Sequence, residues 1–224
     1  MTQKINIDSL SCLCSSRIRK DRIAYILYPL DILSDWLEQA AEKYGVTIVV
    51  VTGMDWRNVF SPWSAPGVPK GAPDFKGESP EFLKLLQTKV IPEIEETMQM
   101  DSHPERSLVG VSMSGLFALW QWMVCDTFKN IASLSGSFWY EGFLDWMKKI
   151  KMPQKSGLGF FLLGDQESKS KVKAFDTVGV NTEEILKLLK AADIKVKFES
   201  VPGNHFADAI PRLEKAFENL FPNR

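Results

Sequence analysis

The sequence has few of the residues that build metal sites and disulfide frameworks. Its 224 residues include three cysteines and two histidines. Cys12, Cys14 and Cys125 form no Cys-x-x-Cys pair, so a structural zinc site has almost no ligands to use. Free thiols in odd number suit a reducing compartment, and the alternation at Cys12 and Cys14 is typical of a strand with both thiols on one face. We therefore expect no metal, no cofactor and a cytoplasmic location.

A large excess of charge and a long apolar run are also absent. The formal net charge is -1 at pH 7, which leaves no basic field for a phosphate backbone and excludes nucleic acid as the expected partner. No apolar run approaches the roughly 20 residues of a membrane span. Residues 1–20 lack the continuous apolar segment of a secretory signal. With 45% hydrophobic and 25% charged residues, the composition is that of a soluble enzyme.

Apolar runs alternate with helix-forming stretches along the chain. Strands are predicted at 22–29, 46–52, 107–111, 130–134, 157–163 and 195–201, and helices at 33–44, 79–100, 112–125, 142–150, 181–192 and 206–220. Pro92 should kink the second of these helices. The alternation predicts an α/β fold with a mostly parallel, doubly wound sheet and helices on both faces, in a single domain over 1–224. A long, aromatic-rich connection at about 53–79 is expected to border the active site.

The segment Gly-Val-Ser-Met-Ser-Gly at residues 110–115 lies between a predicted strand and a predicted helix. That arrangement is typical of a nucleophile elbow, a strained turn that lifts a serine hydroxyl clear of the sheet. Ser112 is then the nucleophile. Ser114 stands where the usual pattern has glycine, and serine is the least disruptive replacement because strand and helix pass close together there.

A serine hydroxyl needs a base to take its proton. His205 follows Ser112 in the chain and lies directly after a predicted strand, where the ligand-binding edge of the sheet is expected. His103 precedes the nucleophile strand and therefore lies at the opposite edge. His205 is the predicted base.

Two carboxylates compete for the third position of the triad. Asp165 and Glu167 both follow the strand at 157–163, and either could orient the imidazole. We favour Glu167, which is further past the strand end, whereas Asp165 is better placed to cap the turn. Asp208 is a third candidate, more simply a first-turn carboxylate of the last helix.

The expected oxyanion hole consists of backbone amides. The elbow supplies the amide of Met113, and the loop after the first predicted strand supplies the second, with Leu30 favoured because Pro29 has no N–H.

Aromatic residues on segments near the serine predict an apolar or flat substrate group. The predicted substrate-binding residues are Trp56, Trp63, Phe138, Trp139 and Tyr140. Some of them could instead pin the long connection to the body of the protein. Arg57 and Lys169 are the cations of these segments, so a strongly anionic substrate is not expected. Trp120 and Trp122, near the elbow helix, would allow a homodimer.

Four segments resemble the α/β-hydrolases of the esterase D group, in the branch of enterochelin-esterase-like and feruloyl-esterase-like enzymes. They are the elbow at 110–115, the serine-rich segment at 135–139, the acid loop at 164–168 and the histidine loop at 202–205. The resemblance covers the chain from about Arg17 and puts the acid on Glu167. The chain departs from the pattern at Ser114 and at 28–30, where relatives often carry a glycine. Its N-terminus looks short beside relatives that begin with an extra strand pair or domain.

These observations predict a serine hydrolase that cleaves a small carboxylic ester through an acyl-serine intermediate. A thioesterase or an acyltransferase with the same triad is an alternative. The irregular oxyanion loop motivates a further one, a hydrolase-fold protein that binds a ligand with little or no turnover.

Overall fold

The computed structural model describes residues 2–28, 34–170, 172–206 and 208–222. Its strands, in chain order, are β1 (Gln3–Ile7), β2 (Leu10–Cys14), β3 (Arg22–Leu27), β4 (Thr47–Thr52), β5 (Ser64–Ala65), β6 (Phe75–Lys76), β7 (Glu105–Val111), β8 (Asn130–Leu134), β9 (Gly159–Gly164) and β10 (Val196–Val201). The helices are α1 (Ser34–Tyr44), α2 (Trp56–Val59), α3 (Ser79–Leu85), α4 (Ile91–Thr97), α5 (Met113–Val124), α6 (Phe143–Lys149), α7 (Val178–Ala191) and α8 (Ala209–Leu220).

Eight of the described strands form one sheet in the order β1-β2-β4-β3-β7-β8-β9-β10. The strands from β4 to β10 in that order pair in parallel, whereas β1 with β2 and β2 with β4 pair antiparallel. The predicted α/β-hydrolase fold, with its mostly parallel sheet, is therefore confirmed. The hairpin β1–β2 adds an antiparallel strand pair at one edge of this sheet.

Alternating residues of the central strands face two separate cores. Leu108, Ile131 and Phe161 pack with α3 to α7 on one face, and Ala132 and Phe160 pack with α1 and α8 on the other. Because both faces are covered, β4 and β8 are buried along their whole length, as strands of a parallel sheet usually are. Cys12 and Cys14 both lie in the first of these cores, with Leu108 and Ile131, as the alternation along their strand predicts.

Several predicted helices differ at their ends. The helix predicted over 79–100 consists of α3, a π-helical turn at Leu86–Val90 and α4; Pro92, which has no N–H to donate, follows the π turn. Helix α7 begins before the predicted 181, directly after a 3₁₀ turn at Phe175–Thr177. Helix α8 begins after the predicted 206, because the Asp208 side chain accepts a hydrogen bond from the amide of Ile210 and caps it there.

The long connection at 53–79 is ordered by its own short elements and by aromatic packing. It contains α2 and the hairpin of β5 and β6. Phe60 and Phe75 are buried, and Phe60 packs against Phe82 and Phe117 of neighbouring helices. The connection thus lies against the body of the protein at the carboxyl edge of the sheet.

Trp120 and Trp122 are buried within the chain, so neither indole is available to a partner and the basis for expecting a homodimer there is lost. Within the described residues, the helices are all too short or too polar to cross a membrane.

Candidate active site

The turn between β7 and α5 holds Ser112 in a backbone conformation that few non-glycine residues adopt. Its φ is 59° and its ψ is -119°, and Met113 is the first residue of α5. A Cβ on Gly110 would lie 2.1 Å from the carbonyl oxygen of Ser114, so only glycine fits there. This is the geometry of a nucleophile elbow, in which the serine is exposed at the end of its strand.

Ser114, which stands where the usual pattern has glycine, is hydrogen-bonded in this turn. Its hydroxyl lies 2.7 Å from the carbonyl oxygen of Leu27 at the end of β3 and accepts from the amide of Val111, also at 2.7 Å. The replacement therefore connects the ends of two adjacent strands beneath the serine.

The structure brings Ser112, His205 and Glu167 into one hydrogen-bonded chain. The distance from Ser112 Oγ to His205 Nε2 is 3.0 Å, and that from His205 Nδ1 to Glu167 Oε2 is also 3.0 Å. The Glu167 carboxylate can only accept when ionised, so Nδ1 carries the proton that it donates to Oε2. Nε2 is then free to accept the hydrogen of the Ser112 hydroxyl.

The Glu167 side chain is buried, with 2% of its surface exposed, and its carboxylate accepts several hydrogen bonds from protein donors. Its Oε1 accepts from Ser135 Oγ at 2.7 Å and from the amide of Gly164 at 2.8 Å. Burial by itself would raise the pKa of this carboxyl. Together, the hydrogen bonds from His205, Ser135 and Gly164 outweigh the effect of burial and lower the pKa of Glu167 below its ordinary value. The group is therefore ionised at neutral pH.

Arg212 is a partner of Glu167 that the sequence reasoning missed. Its guanidinium group, 5% exposed, lies 3.0 Å from Glu167 Oε1 and contacts Ser135 Oγ. It also donates to the carbonyl oxygen of Asn204 at 2.7 Å, directly before His205. One side chain thus connects the acid loop to the histidine loop. The available signal was its position on the apolar stripe of α8, one turn before Ala216.

The competing acid and base candidates make other contacts and do not hydrogen-bond to Ser112 or His205 in the described residues. Asp165 Oδ1 accepts from the amide of Gly203 at 3.0 Å, which holds the histidine loop against the acid loop. Asp208 caps α8. His103 is exposed and precedes β7, at the opposite edge of the sheet from Ser112.

Of the two expected oxyanion donors, one lies in the described chain. Met113 begins α5, so its amide has no acceptor within the helix and can face a ligand beside Ser112. Leu30 lies outside the described residues.

A cavity of about 600 Å³ opens beside Ser112 and is walled mainly by apolar side chains. Besides the site residues, those that line it include Trp56, Phe60, Val68, Phe75, Trp139, Val172, Phe175, Val178 and Phe206. Phe206 is 92% exposed and lies at the rim, edge-on to the His205 ring. Lys169 is the cation among the described lining residues.

Two of the five predicted substrate-binding aromatics, Trp56 and Trp139, line this cavity; Trp63, Phe138 and Tyr140 do not. The Trp63 indole donates to the carbonyl oxygen of Glu141 at 2.9 Å, and the Tyr140 hydroxyl donates to that of Trp63 at 2.5 Å. Phe138 is buried and stacks on Phe143. Trp63 and Tyr140 therefore pin the long connection to the body of the protein, which is the alternative that the sequence left open, whereas Phe138 packs in the core against Phe143 and Phe161.

No group of three or more His, Cys, Asp or Glu side chains in the described part of the chain is arranged to hold a metal ion.

The comparisons agree with this architecture. The family model described as "Putative esterase" matches residues 27–207. Among curated proteins, the uncharacterized protein YbbA of Bacillus subtilis (strain 168) is 26% identical over 140 residues, which cover 60% of this chain and 56% of that protein. The chain thus spans about half the length of this relative.

Solved structures of hydrolases match almost the whole chain. The siderophore hydrolase EstB of Aspergillus nidulans is 19% identical with a TM-score of 0.74, covering 99% of this chain and 94% of that one. An IroE-like serine hydrolase from Shewanella oneidensis is 15% identical with a TM-score of 0.79, covering 99% of this chain and 79% of that one. The enterobactin and salmochelin hydrolase IroE is 19% identical with a TM-score of 0.76, covering 99% and 95%.

At these identities the structural matches establish the fold, and the family model covers well over half of the sequence. The resemblance to the esterase D group is confirmed: the chain belongs to this family of α/β-hydrolase esterases.

Proposed function

We propose that Ser112, His205 and Glu167 are the catalytic triad with which this esterase hydrolyses a carboxylic ester. The observation that carries the proposal is the continuous chain of two 3.0 Å contacts from Ser112 Oγ through the imidazole to Glu167. Its support is geometric: each heavy-atom distance is within the range for proton transfer.

The reaction begins when Nε2 of His205 takes the Ser112 proton and Oγ attacks the ester carbonyl carbon. Glu167, already ionised, stabilises the imidazolium without taking its proton. The amide of Met113 donates to the oxyanion, and a second amide is required beside it, for which Leu30 stays the candidate. The imidazolium then protonates the leaving alcohol, and an acyl-Ser112 remains. Water, activated by the same imidazole, releases the carboxylic acid.

Replacing Ser112 by alanine tests this assignment. On a p-nitrophenyl ester, kcat should fall by about a millionfold, because triad members act as a unit. Ser133→Ala is the matched control, since it removes a buried serine hydroxyl that donates to the carbonyl oxygen of Gly115 and does not contact the triad. A loss of less than tenfold for Ser112→Ala would contradict the assignment. A wild-type protein that binds esters tightly without turnover would favour a binding role instead.

We further propose that the substrate is a neutral ester with an apolar group of medium size. Eleven apolar side chains line the cavity beside Ser112, and the ionisable residues among its described lining are Lys169 and the triad residues Glu167 and His205. A charged acyl group would lose its hydration there without gaining a buried partner. The aromatic rim formed by Trp56 and Phe206 extends the same character outward.

A series of straight-chain p-nitrophenyl esters tests the substrate class. Each buried methylene should raise kcat/KM by about fourfold until the cavity is full, from a transfer free energy of about 0.8 kcal/mol. Val172→Trp, which places bulk in the cavity wall, should flatten this dependence. Val180→Trp is the control, because Val180 is exposed and does not line the cavity. A higher kcat/KM for p-nitrophenyl esters with an acetyl or succinyl group than for those with a butyryl or longer acyl group would contradict the proposal. Thioesters and added alcohol acceptors assayed with the same proteins distinguish thioesterase or acyl-transfer activity.

For location, we propose the cytoplasm. The support is that Cys12, Cys14 and Cys125 are free thiols, and that burial raises the pKa of Cys12 to about 11, which keeps that thiol protonated and unreactive.

A further inference from the structure

Ser137 has a hydroxyl next to the nucleophile that the triad does not account for. Ser137 Oγ lies 3.3 Å from Ser112 Oγ, and the residue is 1% exposed. Its backbone amide donates to the carbonyl oxygen of Ser112 at 3.1 Å, which fixes the segment after β8 against the elbow. In the part of the chain that the structure describes, Ser137 Oγ has no second hydrogen-bond partner.

The direction of this hydrogen bond follows from the number of protons available. Ser112 has one hydroxyl hydrogen, and His205 Nε2 accepts it, because Nδ1 carries the imidazole proton towards Glu167. Ser112 Oγ therefore has only lone pairs to offer to Ser137. Ser137 must be the donor, and its hydrogen bond ends on the reacting oxygen.

We propose that Ser137 is a further catalytic residue, a hydrogen-bond donor to Ser112 Oγ that acts chiefly when this oxygen is the leaving group in deacylation. The inference rests on the proposed function, since it assumes that Ser112 carries the acyl group.

In deacylation, His205 takes a proton from water as the water oxygen bonds to the acyl carbon. The bond from that carbon to Ser112 Oγ then breaks, and its electron pair goes to Oγ, which takes the proton from Nε2. A donor to Oγ makes the acyl carbon more electrophilic before water attacks, and it stabilises the charge that develops on Oγ as the bond breaks. Hydrogen bonds strengthen as the acceptor becomes charged.

In acylation the same contact has opposing effects. A donor to Oγ withdraws electron density from the attacking oxygen, although it also fixes the position of that oxygen. Removing the Ser137 hydroxyl should therefore slow deacylation more than acylation. A merely structural role would instead change both steps, or the amount of active enzyme, together.

The test is pre-steady-state hydrolysis of a p-nitrophenyl ester by wild type and Ser137→Ala. An activated leaving group makes acylation fast, so kcat reports deacylation and kcat/KM reports acylation. We expect kcat to fall by about tenfold, the effect of losing one hydrogen bond to a reacting atom, while kcat/KM changes by less than about threefold. The variant should give a burst of about one p-nitrophenol per active site followed by a slower steady-state phase than in wild type, and its acyl adduct should persist longer by intact mass. Ser137→Thr, which keeps a hydroxyl, should restore part of kcat, and Ser133→Ala should not separate the two parameters.

Equal falls in kcat and kcat/KM, or no change in either, would overturn the inference for Ser137. The result for the wild type distinguishes failure of the inference for Ser137 from failure of the proposed function. If wild-type Ser112 gives neither a burst nor an acyl adduct, then the triad assignment itself is wrong and the role of Ser137 falls with it.

Discussion

Replacing Arg212 by methionine removes a buried cation while keeping a side chain of similar length. In the native site Arg212 and Glu167 are 5% and 2% exposed, and their charges lie 3.0 Å apart. The variant leaves the Glu167 carboxylate buried with one donor fewer and leaves the carbonyl oxygen of Asn204 without its 2.7 Å partner. The change thus affects both the acid and the loop that carries His205.

The size of the effect follows from the burial of the pair. Removing one partner of a buried ion pair costs about 3–5 kcal/mol. At roughly 2.1 cal/mol/K of unfolding entropy per residue, a chain of this length loses about 2 °C in Tm per kcal/mol, so Tm should fall by about 6–11 °C. Loosening of the loop beside His205 should lower kcat by up to about 100-fold, with KM nearly unchanged.

Differential scanning calorimetry and ester hydrolysis measure the two effects on the same samples. Arg212→Lys keeps the charge but loses the planar fork, so it should fall between wild type and Arg212→Met. The double variant with Glu167→Gln should be less destabilised than the sum of the single variants, by about 0.5–3 kcal/mol, because no unpaired charge remains. A Tm within about 2 °C of wild type together with an unchanged kcat would refute this account of Arg212.

The remaining predictions concern the elbow and the acid. Ser114→Gly, although it restores the usual elbow pattern, should lower stability by about 1–3 kcal/mol in thermal unfolding, because the buried carbonyl of Leu27 loses its donor; a more stable variant would contradict this. Because folding lowers the pKa of Glu167, its carboxylate stabilises the protein above the ordinary carboxyl pKa of about 4.3 and loses this effect as pH falls through the lowered value. The Tm deficit of Glu167→Gln should therefore be largest near pH 7 and shrink below about pH 4; a deficit independent of pH would show that ionisation is not the cause. Glu167→Gln should also reduce kcat by about 10⁴-fold, whereas Asp165→Asn, which keeps an oxygen for the amide of Gly203, should stay within about fivefold; the reverse order would make Asp165 the acid.

Local patterns were sufficient to predict the parallel sheet and the elbow. The runs of the central strands β3, β4 and β9 are continuous and apolar because both faces of the sheet are covered there, and the turn at 110–115 needs small residues because β7 and α5 nearly touch. Chain order placed Ser112, the acid loop and His205 at one edge of the sheet. The sequence prediction of the triad stays a proposal, supported by the two 3.0 Å contacts.

Contacts between distant segments were not predictable in the same way. The sequence places Arg212 on the apolar stripe of α8 but does not identify its partner, because only the packing of α8 against β8 and β9 brings it to Glu167. Trp63 and Trp139 are indistinguishable as aromatics of two loops, yet one indole bonds to the backbone of Glu141 and the other faces the cavity. The hairpin β1–β2 was missed because residues 3–7 carry alternating polar residues with little apolar signal.

The central claim is that Ser112 is an activated nucleophile, and intact mass after incubation with a fluorophosphonate tests it most directly. Wild type should gain one adduct within minutes, Ser112→Ala should gain none, and Ser133→Ala should react like wild type. An unlabelled wild type, or an adduct that persists in Ser112→Ala, would contradict the claim.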